Sequence, residues 1–171
     1  MGSTKKAASV FLALGSNLGD RQQNIETAYR KIEERIGRIA SSSAFYFSKP
    51  EGFDSENLFI NSVCEVLCKI DIYKLFAIIE SIEKEIGRTK KSSRGGYADR
   101  IIDIDLLLAG DQIIDSPKLI VPHPRMHFRD FVLTPLSEIA PDVVHPVLKK
   151  TIRQLKETYD ALQSPDGDYT I

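Results

Sequence analysis

The stretch Leu58–Cys68, LFINSVCEVLC, decides the fold, because its alternation gives two distinct faces and marks a β-strand of a sheet. Phe59, Asn61 and Val63 share one of those faces. Upstream, across a loop at residues 48–57 that holds Pro50 and Gly52, Ile39–Phe47 reads as another strand. Before it lies an amphipathic helix with Ile25, Ala28, Tyr29, Ile32 and Ile36 at helical spacing. Asn17 or Asp20 can cap its start, and Gly37 suits the position just past its end. The apolar run Val10–Leu14 is a central strand that stops at Gly15-Ser16-Asn17. Downstream, Asp71 caps a second helix whose buried stripe is Leu75, Ile78, Ile79, Ile82 and Ile86, with Gly87 ending it. Residues 88–99, rich in Lys, Arg, Ser and Gly, read as a mobile loop. Ile101–Ala109 is the next strand, with short extended pieces at Ile113-Ile114 and Leu119–Val121. Phe131–Ile139 and Thr151–Leu162 return to helical spacing.

Strand, helix, strand, strand, helix, strand is the split pattern of an α+β fold with a ferredoxin-like core and a mainly antiparallel sheet, extended here by extra strands and C-terminal helices. The 171 residues are enough to bury one core, so a single domain over residues 9–162 is expected, with flexible ends at 1–8 and 163–171 and no room for a fused second catalytic domain. With 42% hydrophobic and 27% charged residues the composition is that of an ordinary globular protein. A formal net charge of -1 gives no reason to expect a nucleic acid or an anionic membrane as partner. Cys64 and Cys68 have neither redox nor zinc spacing and read as buried reduced thiols, which fits the cytoplasm. No apolar run is long enough to cross a membrane or to act as a signal peptide.

Asp103 and Asp105 alternate with Ile102, Ile104 and Leu106, which puts both carboxylates on one strand face with Cα atoms about 6–7 Å apart. Two hard oxygen ligands on a rigid strand suit Mg²⁺, although any half-exposed strand can show the same alternation. Arg88, Lys90, Lys91, Arg94 and Arg100 precede them, so a phosphate-binding cluster beside a metal site is the favoured reading over a solvated basic loop. His123, Arg125, His127 and Arg129 form a second basic group. The His123/His127 spacing is that of a zinc pair, but Pro124 argues against one helix carrying both, and phosphate contact is favoured. Gly15–Asp20 is a glycine-bearing strand-to-helix turn without the lysine of a Walker loop. Asn61, a polar amide on an apolar strand, either satisfies itself against backbone or reads the edge of a flat heterocycle.

LALGSNLGDR (Leu12–Arg21), FIN (Phe59–Asn61), RIIDIDLLL (Arg100–Leu108) and VPHPRMHFRDFVLTPLSEIAPD (Val121–Asp142), taken in order, resemble the 6-hydroxymethyl-7,8-dihydropterin pyrophosphokinase family. The resemblance implies a ferredoxin-like catalytic domain with ATP as donor and two Mg²⁺ ions held by Asp103 and Asp105. It implies a pterin ring between Phe59 and Phe131, hydrogen-bonded by Asn61 and by backbone around Ser48–Pro50. It also implies phosphate contacts from Arg88, Arg100, His123 and Arg129, with Lys91 in the same basic loop, and nucleotide contacts from Glu80 and Glu83. The partners implied are small molecules, ATP and the hydroxymethyl-dihydropterin, and the next folate-pathway enzyme is the one protein partner brought into view. The chain departs from the family in carrying Ala98-Asp99-Arg100 where many members have Gly-Pro-Arg, and in having no tryptophan.

The implied reaction is in-line attack of the hydroxymethyl oxygen on the β-phosphorus of ATP, with AMP leaving, so the work of the protein is positioning and charge neutralisation. Two rivals remain at this level. A two-metal nucleotidyl transferase or cyclase would use the same acidic pair and release diphosphate. An RNA-binding sheet would stack bases on its aromatics, but the chain lacks the aromatic motif of such sheets and a basic balance.

Overall fold

The computed structural model describes residues 6–51, 56–87 and 99–164. β1 (Ala8–Ser16) lies inside the sheet, which is why its side chains are apolar on both faces. It pairs antiparallel with β4 (Phe59–Cys68) from Ala8↔Cys68 to Ser16↔Ile60, and on its other edge with β5 (Asp103–Ala109) from Val10↔Ala109 to Gly15↔Asp103. β2 (Gly37–Ser42) and β3 (Tyr46–Ser48) share the far edge of β4. The sheet order is therefore β2-β4-β1-β5, with β3 continuing the β2 edge, and the core is ferredoxin-like as expected. β6 (Ile114–Asp115) and β7 (Ile120–Val121) form a separate small hairpin.

Two helical layers cover the sheet. α1 (Arg21–Arg35) and α2 (Ile72–Ile86) bury Ile25, Ile32, Leu75, Ile79 and Ile82 against Leu12, Leu14 and Ile104. On the opposite face α3 (Asp130–Ile139) and α4 (Ile152–Gln163) bury Leu133, Leu136, Ile152 and Leu155 against Phe11, Val63 and Leu107. Each such side chain taken fully out of water contributes about 1.5–3 kcal/mol. Asp20 and Asp71 accept the backbone N–H of Gln23 and Tyr73 as helix caps, and Thr151 with Gln154 forms a reciprocal capping box on α4. Gly87 closes α2 with φ 127°, the left-handed region glycine adopts at little cost.

One expectation is corrected. Ile39–Phe47 is not one strand but β2 and β3, parted at residues 43–45. There the Ser43 hydroxyl accepts the Val63 N–H at 3.0 Å, standing in for a ladder carbonyl, while the Ser43 N–H donates to the Val63 carbonyl at 2.8 Å. Gly37 follows the Ile36 C-cap and so stands just past the end of α1, as expected, without a positive φ. It opens β2, and a Cβ there would lie 2.0 Å from the Leu67 carbonyl oxygen, so close strand approach is what requires glycine. Cys64 and Cys68 are buried free thiols, and burial pushes the Cys64 thiol far above its ordinary value. No described helix is long and apolar enough to cross a membrane. Of the ends expected to be loose, residues 1–5 and 165–171 lie outside the described residues.

Candidate active site

One row of the sheet builds the floor of the site. The register sets Tyr46 beside Asn61, Asn61 beside Gly15, and Gly15 beside Asp103, and directly paired residues in antiparallel strands point to the same face. Two residues away in opposite directions, Phe59 beyond the Ser16 end and Asp105 beside Ala13 join that face. A cavity of about 320 Å³ opens over it, lined by Phe59, Asn61, Asp103 and Asp105 from the strands and by Phe131 from α3. Gly15 keeps the centre of the floor low, since a Cβ there would meet the Asn61 Oδ1 at 3.2 Å and the Phe59 ring at 3.4 Å.

Asn61 is buried, and both protons of its amide are committed, to the Tyr46 carbonyl at 3.2 Å and to the Ser48 hydroxyl at 2.8 Å. Its Oδ1, beside Gly15, is left to accept a hydrogen bond from a ligand on the floor. Asn17, also buried, braces the chain just past the end of β1. Its Nδ2 donates to Asp99 at 2.7 Å and to the Asn57 carbonyl at 3.3 Å, its Oδ1 accepts the Arg100 N–H at 2.6 Å, and its N–H donates to the Arg100 carbonyl at 3.0 Å. Asn57 closes the ring by donating to Asp99 at 3.0 Å. With its backbone so fixed, Arg100 reaches Asp103 at 3.1 Å.

The charges of the wall are unevenly matched. The Asp105 carboxyl is pushed up to about 7, first by burial and then by the charge of Asp103, against the opposing pull of Arg129. Such a carboxylate pair on one strand face is the donor set a hard cation accepts. The Arg129 guanidinium lies 5.5 Å from the Phe131 ring centroid and reaches Glu51 at 3.2 Å, and its buried Nε has no hydrogen-bond partner among the described residues. A buried, unsatisfied N–H of this kind suits a phosphate oxygen. Burial and Arg129 depress His123 to about 4, so its ring is neutral. Its Nδ1 accepts the Arg125 N–H at 3.2 Å, which leaves the proton on Nε2 as a donor.

A second cavity, of about 280 Å³, shares Asp105, His123 and Pro124 with the first and continues past the outer edge of β5. Its walls are Phe76, Leu106, Leu119 and Ile120, with Lys118 among its polar residues.

Of the expected site residues, the structure brings Ser48, Phe59, Asn61, Arg100, Asp103, Asp105, His123, Arg129 and Phe131 together around the main cavity. Pro50 is not among its lining residues. Glu80 and Glu83 sit on α2 and line neither cavity, and Glu83 is buried, its carboxylate accepting at 3.1 Å the N–H of Ile104, a wall residue of the second cavity. Arg88 and Lys91 lie outside the described residues. His127 turns to His145, with ring centroids 6.2 Å apart, and does not line the cavity. The sequence reading missed Asn17, Glu51 and the apolar slot of Phe76, Leu119 and Ile120. For Asn17 a signal existed, a polar residue directly after an apolar central strand. For the slot there was none, because its walls come from α2, β5 and β7.

Fold and cavity together define an α+β domain that sets a flat, aromatic-walled recess beside an acidic pair and a ring of arginines. The chain belongs to the 7,8-dihydro-6-hydroxymethylpterin-pyrophosphokinase (HPPK) family, whose model matches residues 11–141. It is 44% identical over 140 residues to the 2-amino-4-hydroxy-6-hydroxymethyldihydropteridine pyrophosphokinase of Porphyromonas gingivalis, covering 81% of this chain and 95% of that protein. The enzyme of the same name from Aquifex aeolicus is 40% identical over 149 residues, 87% of this chain and 91% of that one. Among solved structures, Plasmodium falciparum HPPK-DHPS with pteroate superposes with a TM-score of 0.73 over 90% of this chain at 18% identity, a likeness of fold. This chain spans 44% of that one.

Proposed function

We propose that the chain transfers diphosphate from ATP to 6-hydroxymethyl-7,8-dihydropterin, giving AMP and the pterin diphosphate in folate biosynthesis, as one catalytic domain over residues 9–162. The observation that carries this reading is the one sheet face that holds Asn61 and Asp103 in a single row, with Phe59 to one side of that row and Asp105 to the other, under Phe131. The pterin ring stacks between Phe59 and Phe131, and the Asn61 Oδ1 accepts one of its N–H groups. Its hydroxymethyl arm then points along the floor toward Asp103 and Asp105.

The apolar slot of Phe76, Leu106, Leu119 and Ile120 takes the adenine, and the triphosphate passes His123, with Arg100, Arg125 and Arg129 at hand on the main cavity. Mg²⁺, as two ions in the family's scheme, fits the Asp103/Asp105 donor set and supplies neutralisation of phosphate charge. The hydroxymethyl oxygen attacks the β-phosphorus, forming the new P–O bond as the bond to AMP breaks. The hydroxymethyl proton leaves to solvent as that oxygen bonds to phosphorus, and Asp103 and Asp105 would stay ionised to hold the metal. Arg88 and Lys91 are assigned to the phosphates, and Glu80 and Glu83 to the nucleotide side, on family resemblance. A cytoplasmic setting is proposed because both cysteines are free thiols. Working association with the next folate-pathway enzyme is proposed because chains such as the Plasmodium HPPK-DHPS carry this fold within a longer protein.

The test is to incubate the protein with ATP, Mg²⁺ and the dihydropterin and resolve the adenine nucleotides. AMP is expected only when pterin and metal are both present. ADP, or diphosphate released without pterin, would overturn the assignment.

A further inference from the structure

Glu138 is exposed on α3, outside the cavity, yet it holds both the segment between β2 and β3 and the first residue of β3. One carboxylate oxygen accepts the Ala44 N–H at 2.9 Å, and the other accepts the Tyr46 hydroxyl in a short hydrogen bond. That bond, more than partial burial, raises the Tyr46 phenol above its ordinary value.

The location gives the contact its meaning. Glu138 stands seven residues after Phe131 on α3, two helical turns away, so both project from one face of the helix. Phe131 is one aromatic plate of the recess. The other, Phe59, lies on β4 paired with Ser48 of β3, and Asn61 is paired with Tyr46. The same Tyr46 offers its carbonyl, and Ser48 its hydroxyl, to orient the Asn61 amide. The gap between the plates and the direction of the amide therefore both depend on how α3 is fastened to residues 44–48. Glu138 is a fastening that ties the helix of one plate to the strand edge of the other.

We propose that Glu138 is a positioning residue for the pterin: through Ala44 and Tyr46 it sets the spacing of Phe59 and Phe131 and the orientation of Asn61, and it contributes nothing to nucleotide binding. The inference rests on the pterin reading of the recess.

The experiment measures equilibrium binding of 6-hydroxymethylpterin, and separately of a non-hydrolysable ATP analogue with Mg²⁺, to wild type, Glu138→Ala, Glu138→Gln and Tyr46→Phe, together with KM and kcat. Glu138→Ala is expected to weaken pterin binding roughly tenfold, the scale of about 1.4 kcal/mol for a lost hydrogen bond to a charged group. Analogue affinity should stay within about twofold, and KM for the pterin should rise more than kcat falls. Glu138→Gln keeps an acceptor for Ala44 and a donor for Tyr46, and should restore most of the loss. Tyr46→Phe removes one of the two ties, should fall between wild type and Glu138→Ala, and keeps the inference testable should Glu138→Ala fail to fold. Pterin affinity unmoved in both Glu138→Ala and Tyr46→Phe would overturn the proposal. So would parallel weakening of pterin and analogue that tracks a fall in the unfolding midpoint. Wild-type protein without pterin affinity would instead sink the substrate reading itself.

Discussion

Asp103 and Asp105 show how a strand can force together charges that repel. The pleat puts both carboxylates on one face, and burial with the neighbouring charge raises Asp105 to about 7. The folded state therefore holds a proton there that the unfolded chain has given up by about pH 4, so this group costs stability as pH rises from about 4 through 7. Asp105→Asn is expected to raise the unfolding midpoint at pH 8 in the presence of EDTA, by about 2–4 °C per kcal/mol of relief, while abolishing AMP formation. A variant that was less stable and still active would refute both the strain and the role. Asn61 makes the complementary case, since its amide protons are already engaged and only its oxygen is left to accept on the cavity floor. Asn61→Ala should raise KM for the pterin by roughly 10–100-fold with KM for ATP within about twofold, as measured by steady-state kinetics. Both acidic residues and Asn61 were legible in the sequence, because a polar group on an apolar strand stands out against the alternation. Which atom of Asn61 faces the site was not legible, because that depends on Tyr46 and Ser48 across the β3–β4 pairing.

Among the elements, the periodic ones were readable and the junctions were not. α1 and α2 carry a continuous apolar stripe and end near where the pattern ends. The division of Ile39–Phe47 into β2 and β3 depends on one serine hydroxyl substituting for a backbone carbonyl, and nothing in the local pattern distinguishes Ser43 from its neighbours Ser41 and Ser42. Gly37 stands just past the helix end as read, but the close strand approach that also requires glycine there was not legible, because a helix end and a close strand approach leave the same mark in sequence. The difference can be measured. Gly37→Ala places a methyl group 2.0 Å from the Leu67 carbonyl oxygen, so it should cost at least about 2 kcal/mol in denaturant unfolding, through a parted β2–β4 pairing. A loss below about 0.5 kcal/mol would show that the pairing relaxes freely there.

At the scale of the whole molecule, the segment between α3 and α4 anchors the C-terminal layer through His145. This side chain is buried, its Nδ1 accepts the N–H of Val147 at 3.2 Å and of Leu148 at 3.1 Å, and burial with the nearby His127 lowers its pKa. Below its ordinary value near 6.5 the unfolded chain takes up the proton first, so this contribution to stability is lost as pH falls. His145→Asn keeps an acceptor for those amides without the titration. Its unfolding midpoint should therefore fall less than that of wild type between pH 7 and about pH 5, and superimposable profiles would show that His145 does not titrate on unfolding.

The placement of β1 carries a consequence for how the chain comes to be folded. It is made well before both its neighbours, β4 from residue 59 and β5 from residue 103. A nascent chain shorter than that holds an apolar strand with one edge bare, and the row joining Asn61, Gly15 and Asp103 cannot close until the last of the three has been made. Synthesis thus delivers the middle of the sheet before its sides, and the cavity floor is assembled by contacts of long sequence separation, the kind that slow folding and leave strand edges open to other chains.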